Sequence, residues 1–231
     1  MTIVAIVPAR GGSQGLPGKN SLELGGKSLI QRSIEFAQLL ELDDIIFSSD
    51  KPEYIRIAES FGATTLGPRS REASTSESME EHVIDDLNEK MAQQNYPVPG
   101  AVVWLRPTFV FRSMATTKAC VDDVMRGNFS ASRVVTEVDP RLYRAGGSGT
   151  LETTFNDGGA SMVRRQGLDP LYRVFNTDVF LWPSGPCPRD FLGSNISFHV
   201  APLLCGFDID TIEDFNLVRL LATIIPSTNL P

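Results

Sequence analysis

Ile3-Val-Ala-Ile-Val-Pro-Ala-Arg-Gly-Gly-Ser-Gln-Gly-Leu-Pro-Gly-Lys-Asn20 is the stretch from which the fold is read. Residues 3–7 are a mostly β-branched run of the sort buried on both faces of a parallel sheet, and Pro8 ends it ahead of a glycine-rich loop. Four glycines let the loop backbone approach a ligand and present its N–H groups, while Arg10 and Lys19 bring positive charge to the same place. An ordinary strand-to-helix connection runs about 2–6 residues. This one is far longer, which favours a phosphate cradle over a plain connection. It matches neither G-x-G-x-x-G nor G-x-x-x-x-G-K-[ST], so a dinucleotide fingerprint and a Walker loop are both disfavoured.

Outward from the loop, Leu29, Ile30, Ile34, Ala37 and Leu40 recur at helical spacing, and Asp44-Ile-Ile-Phe-Ser-Ser-Asp50 reads as a second strand. Strand, loop, helix and strand make a βαβ unit. The alternation continues with a helix over 53–61, a short strand near Thr64, a helix over 78–91 and an apolar strand over 101–105. Between 139 and 173 it degrades into Gly, Arg and polar residues, read as an insertion at about 140–173 rather than a central sheet element. A strand over 177–182, another ending in Cys205-Gly-Phe-Asp-Ile-Asp210 and a helix over 212–224 complete the pattern. It predicts one α/β domain over 1–231, a Rossmann-like three-layer αβα sandwich with a mostly parallel sheet.

The 231 residues carry a formal net charge of −7 and a pI near 4.9, which argues against a general nucleic-acid-binding surface. Cys120, Cys187 and Cys205 are far apart with no C-x-x-C pair, so neither a zinc knot nor a disulfide framework is expected, and a reducing cytoplasm fits. The first residues lack the basic start of a secretory signal, and no stretch reaches the roughly 18 apolar residues of a membrane span. The expectation is a soluble cytoplasmic protein with no membrane or nucleic-acid partner.

Asp208 and Asp210 are two apart, so on a strand end both carboxylates share a face and can hold a hard cation such as Mg²⁺ opposite the cationic loop. A solvated strand end, or capping of the next helix by Asp210 or Thr211, explains the same pattern. Sixteen of the 21 basic residues are arginine, whose planar fork suits carboxylates and phosphates. Arg69, Arg71, Arg106, Arg112, Arg141, Arg144, Arg164, Arg165 and Arg173 fall in the irregular regions and suggest an acidic acceptor, although such side chains can also be simply solvated. Asp50 has a ligand-side or a turn role. His82 and His199 have no second ligand at metal spacing and are read as structural.

In these motifs the chain resembles the CMP-sialic acid synthetases, the acylneuraminate cytidylyltransferase family. The family's P-A-R-x-x-S-K-x-[IL]-x-x-K-N signature is met by Arg10, Ser13, Lys19 and Asn20, with Gln14 in place of lysine. Its L-Q-P-T-S-P-L-R segment resembles Leu105-Arg-Pro-Thr-Phe-Val-Phe-Arg112, with Arg106 in place of glutamine. R-Q-x-L resembles Arg165-Gln-Gly-Leu168, N-G-A-x-Y resembles Asn176-Thr-Asp-Val-Phe180, and D-I-D-T matches Asp208-Ile-Asp-Thr211. Thr177-Asp178 departs from Gly-Ala.

The resemblance implies nucleotidyl transfer from CTP to an acidic sugar, with Mg²⁺ as cofactor and a homodimer joined through the insertion. It assigns catalysis to Arg10, Lys19, Asp208 and Asp210, the last two also holding the metal. Nucleotide binding falls to Ala9, Arg10, Gly11, Gly12, Ser13, Gln14, Lys19, Asn20 and Arg69, and acceptor binding to Arg106, Thr108, Arg165, Gln166, Asn176 and Phe180. Arg165 takes the family position that holds the sugar-acid carboxylate. Arg106 is expected to supply, from across the crevice, the cation that Gln14 lacks. A cytidylyltransferase for another keto-sugar acid or a phosphonate, a nucleotide-binding homologue without catalysis, and a D-x-D glycosyltransferase are the alternatives.

Overall fold

Burial along the first strand divides the core in two: Ile3, Ala5 and Val7 join one apolar cluster, Val4 and Ile6 the other. The computed structural model describes residues 1–13, 15–154, 164–183 and 185–224. From the amino terminus come β1 (Ile3–Pro8), the short strands β2 (Glu23–Leu24) and β3 (Lys27–Ser28), α1 (Leu29–Gln38) and β4 (Asp44–Ser48). These are followed by α2 (Pro52–Ser60), β5 (Thr64–Thr65), α3 (Glu80–Gln94), β6 (Ala101–Leu105) and α4 (Met114–Met125). The remainder holds β7 (Ala131–Val138), β8 (Tyr143–Ala145), β9 (Leu151–Thr153), β10 (Leu171–Leu181), β11 (Ile196–Val200) and α5 (Ile212–Ile224).

Seven strands form the central sheet in the order β11-β7-β10-β6-β1-β4-β5. All neighbours are parallel except β10, which runs antiparallel to both β6 and β7. Ala101, Val103 and Leu105 face the cluster that receives α1, α2 and α4 through Ile30, Ile34, Tyr54, Ala58, Cys120 and Val124. Val102 and Trp104 face the opposite cluster, which receives α3 through Val83, Ile84, Leu87 and Met91. The fold is therefore the expected three-layer α/β sandwich. α5 packs in a third cluster, where Phe215 and Val218 meet Leu29, Val110, Phe111 and Ile209.

Local chemistry fixes the helix starts. Ser28 Oγ accepts from Gln31 N–H at 3.1 Å to cap α1, and Ser113 Oγ accepts from Thr116 N–H at 3.3 Å to cap α4. Pro52 opens α2 at a position whose N–H has no partner within the helix. Met79 N–H donates to His82 Nδ1 at 3.0 Å ahead of α3, so His82 serves the helix start. His199 pairs with Asp123 at 2.9 Å, beside the Ser197 hydroxyl that also donates to that carboxylate.

Two expectations are corrected. Residues 205–210 are not a strand: Leu203–Gly206 is a 3-10 turn and residues 207–210 are irregular, with Ile209 N–H donating to Thr108 O at 3.1 Å. The place beside β7 is taken by β11, so this segment finds no ladder to join. The irregular insertion also ends earlier than expected, because Leu171, Tyr172 and Arg173 already pair with β7 in the central sheet. Within the insertion, β8 and β9 make a separate two-stranded ribbon, and residues 155–163 lie outside the described residues. Among the described residues no helix is long and apolar enough to cross a membrane.

Candidate active site

A cavity of about 550 Å³ opens where β1, β4, β5 and β6 end, the carboxyl edge at which open α/β sheets collect their ligands. The loop after β1 lines it with Arg10, Ser13, Gly15, Lys19 and Asn20. The segment between β5 and α3 adds Arg69, Ser76 and Ser78, and the turn after β6 adds Arg106, Pro107 and Thr108. Phe175 and Asp210 complete the wall. Residues separated by up to 200 positions thus meet because the parallel strands all end on one side.

Hydrogen bonds hold the loop open around this space. Asn20 Nδ2 donates to Arg10 O at 3.1 Å, and Gly11 N–H donates to Asp50 Oδ1 at 2.7 Å, so Asp50 braces the loop backbone. Gly18, with φ of 71°, makes the left-handed turn into the 3-10 helix Lys19–Ser21. Ala9 is buried and extends the β1–β4 ladder, its N–H donating to Ser48 O at 2.9 Å. Arg10 gives one N–H to Thr75 O at 2.8 Å. Arg69 is buried and spends its guanidinium on Ser48 Oγ and Ser48 O at 3.0 and 2.6 Å; burial lowers its pKa to about 10. Ala9, Gly11 and Gly12, expected to bind nucleotide, are outside the cavity lining. Gln14 lies outside the described residues.

The loop is welded to the acidic segment. Lys19 Nζ donates to Asp210 Oδ1 at 2.8 Å and to Ile209 O at 3.0 Å. A Cβ on Gly15 would fall 2.5 Å from Asp210 O, so the close approach requires glycine there. Thr211 caps α5: its Oγ1 accepts from Asp214 N–H at 3.2 Å, and Asp214 Oδ2 accepts from Thr211 N–H at 2.8 Å. Asp210 is not the cap, and its side chain is turned to Lys19. Asp208 sits behind, its Oδ1 buried with no hydrogen-bond partner. Burial holds this carboxyl above the ordinary range, with the Thr108 hydroxyl pulling the other way. An orphaned carboxylate oxygen beside a second carboxylate fits a hard divalent cation. Among the described residues there is no group of three or more His, Cys, Asp or Glu that could hold a metal, so a cation here would need oxygens from a ligand.

On the other side of the cavity, Arg106 is not a spare cation. It donates to Glu80 Oε1 at 2.8 Å, to Asp178 Oδ2 at 2.9 Å and to Phe175 O at 3.0 Å. Arg133 Nε donates to the other oxygen of Asp178 at 2.6 Å. Burial alone would push Asp178 up, but Arg106 and Arg133 outweigh it and hold it below the usual carboxylate range. The expected compensation for Gln14 is therefore corrected, since the charge of Arg106 is already balanced.

Four expected acceptor residues lie elsewhere. Phe180 is core, packed between Trp104 and Phe191, because an even position on this stretch of β10 faces the α3 layer. Asn176 is buried and its amide donates to Phe111 O and Cys205 O at 3.0 and 2.5 Å, tying β10 to two loops. Arg165 and Gln166 line a separate cleft of about 430 Å³, where Arg165 pairs with Glu137 at 2.6 Å. Thr108 alone joins Arg106 at the cavity. Phe175 is the aromatic the sequence reading missed. Its neighbour Asn176 marked the motif, but only the bulge in β10 turns residue 175 to the cavity.

A family model described as cytidylyltransferase matches residues 4–125. CMP-N,N'-diacetyllegionaminic acid synthase of Legionella pneumophila is 36% identical over 123 residues, a match spanning 53% of this chain and 53% of that protein. Pseudaminic acid cytidylyltransferase of Campylobacter jejuni is 27% identical over 224 residues, 96% of each chain. Among solved structures, CMP:2-keto-3-deoxy-manno-octonic acid synthetase complexed with CTP superimposes with a TM-score of 0.65 over 97% of this chain and 100% of that one. At 15% identity that likeness is one of fold.

Proposed function

This chain belongs to the cytidylyltransferase family, and from that premise we propose that it transfers CMP from CTP to an acidic sugar of the nonulosonic acid type and releases pyrophosphate. The observation that carries the reading is the weld between the cationic loop and the acidic segment: Lys19 and Asp210 meet at 2.8 Å in the same cavity as Arg10. Arg10, Lys19 and the loop N–H groups bind the triphosphate and neutralise the charge that grows on the leaving pyrophosphate. At an effective dielectric near 20, one such pair about 4 Å apart contributes roughly 4 kcal/mol before desolvation. The segment around Arg69, Ser76 and Ser78 takes the nucleoside, and the side formed by Thr108 and Phe175 takes the acceptor, so its hydroxyl faces the α-phosphorus. Asp208 and Asp210 would hold Mg²⁺, which supplies further charge neutralisation on the phosphates.

Arg165 and Gln166 lie apart from this cavity, and they are assigned to acceptor binding across a homodimer interface built from the insertion. Half or more of the surface of Leu151, and nearly half that of Leu142 and Tyr143, is exposed on this part, which supports a covering surface. The test is pyrophosphate release from each NTP with Mg²⁺ against a panel of acidic sugars and phosphonates. Release that requires both CTP and a nonulosonic acid is expected. Equal release with a neutral sugar, or none with any acid, would overturn the reading.

A further inference from the structure

Two of the departures from the family motifs, Arg106 and Asp178, touch each other, and together they mount a third residue. Phe175 holds a φ of 85°, a conformation that strains a side-chain-bearing residue and persists where surroundings enforce it. The enforcement is visible. Arg106 Nη1 binds the Phe175 carbonyl at 3.0 Å, and the guanidinium carbons of Arg106 and Arg133 lie 5.0 and 5.3 Å from the ring centroid. Asp178, buried between the same two arginines, fixes both at once. The register of β10 against β7 shifts between Arg173 and Thr177, and this irregularity presents residue 175 beyond the end of β6. Phe175 remains 49% exposed and forms part of the cavity wall.

A phenyl ring held in a strained backbone by two cations, and left half open on the wall of a polar cavity, is placed to meet a bound ligand. The phosphate loop lies over β1 and the Arg69 segment over β4 and β5, so the β6–β10 side is the one left for the acceptor. We propose that Phe175 is a specificity-determining residue for the acceptor: its ring receives the apolar acyl group of an N-acylated keto-sugar acid. This rests on the cytidylyl transfer proposed above. An acid bearing only hydroxyl groups has no apolar group to place there and gains less from the ring. Glu80, at the first turn of α3, also binds Arg106, so the mount is anchored to the nucleoside side as well as to β10.

The experiment compares wild type, Phe175→Gly and Phe175→Tyr by pyrophosphate release with CTP, using N-acetylneuraminic acid and 3-deoxy-manno-octulosonic acid as acceptors. Glycine accepts the positive φ, so the variant that removes the ring does not strain the backbone. In Phe175→Gly the KM for the N-acylated acid rises by about three- to tenfold, the scale of one aromatic contact, while KM for CTP stays level. Phe175→Tyr keeps the ring and stays close to wild type. An unchanged KM for the N-acylated acid, an equal rise for both acids, an equal rise for CTP, or a wild-type preference for the octulosonic acid overturns the inference while leaving cytidylyl transfer intact. Wild-type protein that turns over no acid fails the underlying function and removes the inference with it.

Discussion

Replacing Gly15 with alanine tests whether the loop and the acidic segment act as one device. The added methyl would stand 2.5 Å from the Asp210 carbonyl oxygen, about 0.9 Å inside the 3.4 Å at which ordinary contact begins. Backbone is on the receiving side, so relief requires the loop and residues 209–210 to part. Those residues carry both acceptors of Lys19, at 2.8 and 3.0 Å, and neither hydrogen bond survives a displacement of that size. A misplacement near 1 Å in a site that works by alignment costs about 10²-fold in rate. The global cost is small, on the order of 1 kcal/mol or roughly 2–4 °C in Tm, because the strain falls on a loop at the cavity mouth. Initial rates of pyrophosphate release at saturating CTP, paired with thermal melts, separate the two effects. A variant that melts near wild type but loses about 10²-fold in kcat/KM is the expected result. Wild-type kcat/KM in Gly15→Ala would show that Asp210 need not sit where Gly15 admits it, and the weld would lose its catalytic meaning.

Three further outcomes follow. Lys19→Ala should cut turnover by 10²-fold or more while lowering stability by less than about 1 kcal/mol, since its partner Asp210 is 65% exposed; a melting curve shifted as much as the rate would refute the separation. Asp178→Asn should cost about 3–5 kcal/mol at pH 7, because it strips Arg133 of its buried counter-charge and leaves Arg106 with Glu80 alone. The native pKa of Asp178 is depressed, so its contribution is full above the unfolded value near 4 and fades as pH falls through the native one. Urea titrations at pH 7 and pH 3 should therefore show the wild-type advantage shrinking on the acid side, and an advantage that grows there would contradict the charge assignment. Finally, burial lifts the thiols of Cys120 and Cys205 to about 11 and that of Cys187 to about 12, so all three should resist alkylation at pH 7.5 until the protein is unfolded; rapid labelling of the folded chain would refute this.

Long periodic elements were legible in the residues. β6 occupies 101–105 and α5 occupies 212–224, both as the pattern predicts, because one is a continuous apolar run and the other repeats its apolar residues at helical spacing. β7 and β11 are not legible in the residues for a physical reason. β7 buries Ser132 and Thr136 on its core side, and β11 exposes Phe198 and Val200, so polar and apolar residues are exchanged relative to a simple two-faced strand. At the site, glycine and charge content singled out Arg10, Lys19 and Asp210, and the three line one cavity. Spacing could not reveal that Arg106 is neutralised by Glu80 and Asp178, which approach from another helix and another strand. Nor could it separate Phe175 from Phe180, since which aromatic faces the core depends on where β10 bulges.

The reversed strand also constrains how the chain assembles. β6 ends at residue 105, but its neighbour on one side is β10, which is complete only at residue 181. Until that length has been made, the run Ala-Val-Val-Trp-Leu presents an unpaired ladder of N–H and C=O groups flanked by fully buried side chains. β7 and β11 cannot shield it, because β10 must first be laid between β6 and β7. A nascent chain halted between residues 105 and 181 therefore carries an open, sticky edge at the centre of its future sheet. Sheet closure is a late, long-range event, and this protein is most exposed to self-association during synthesis and slow refolding rather than once folded.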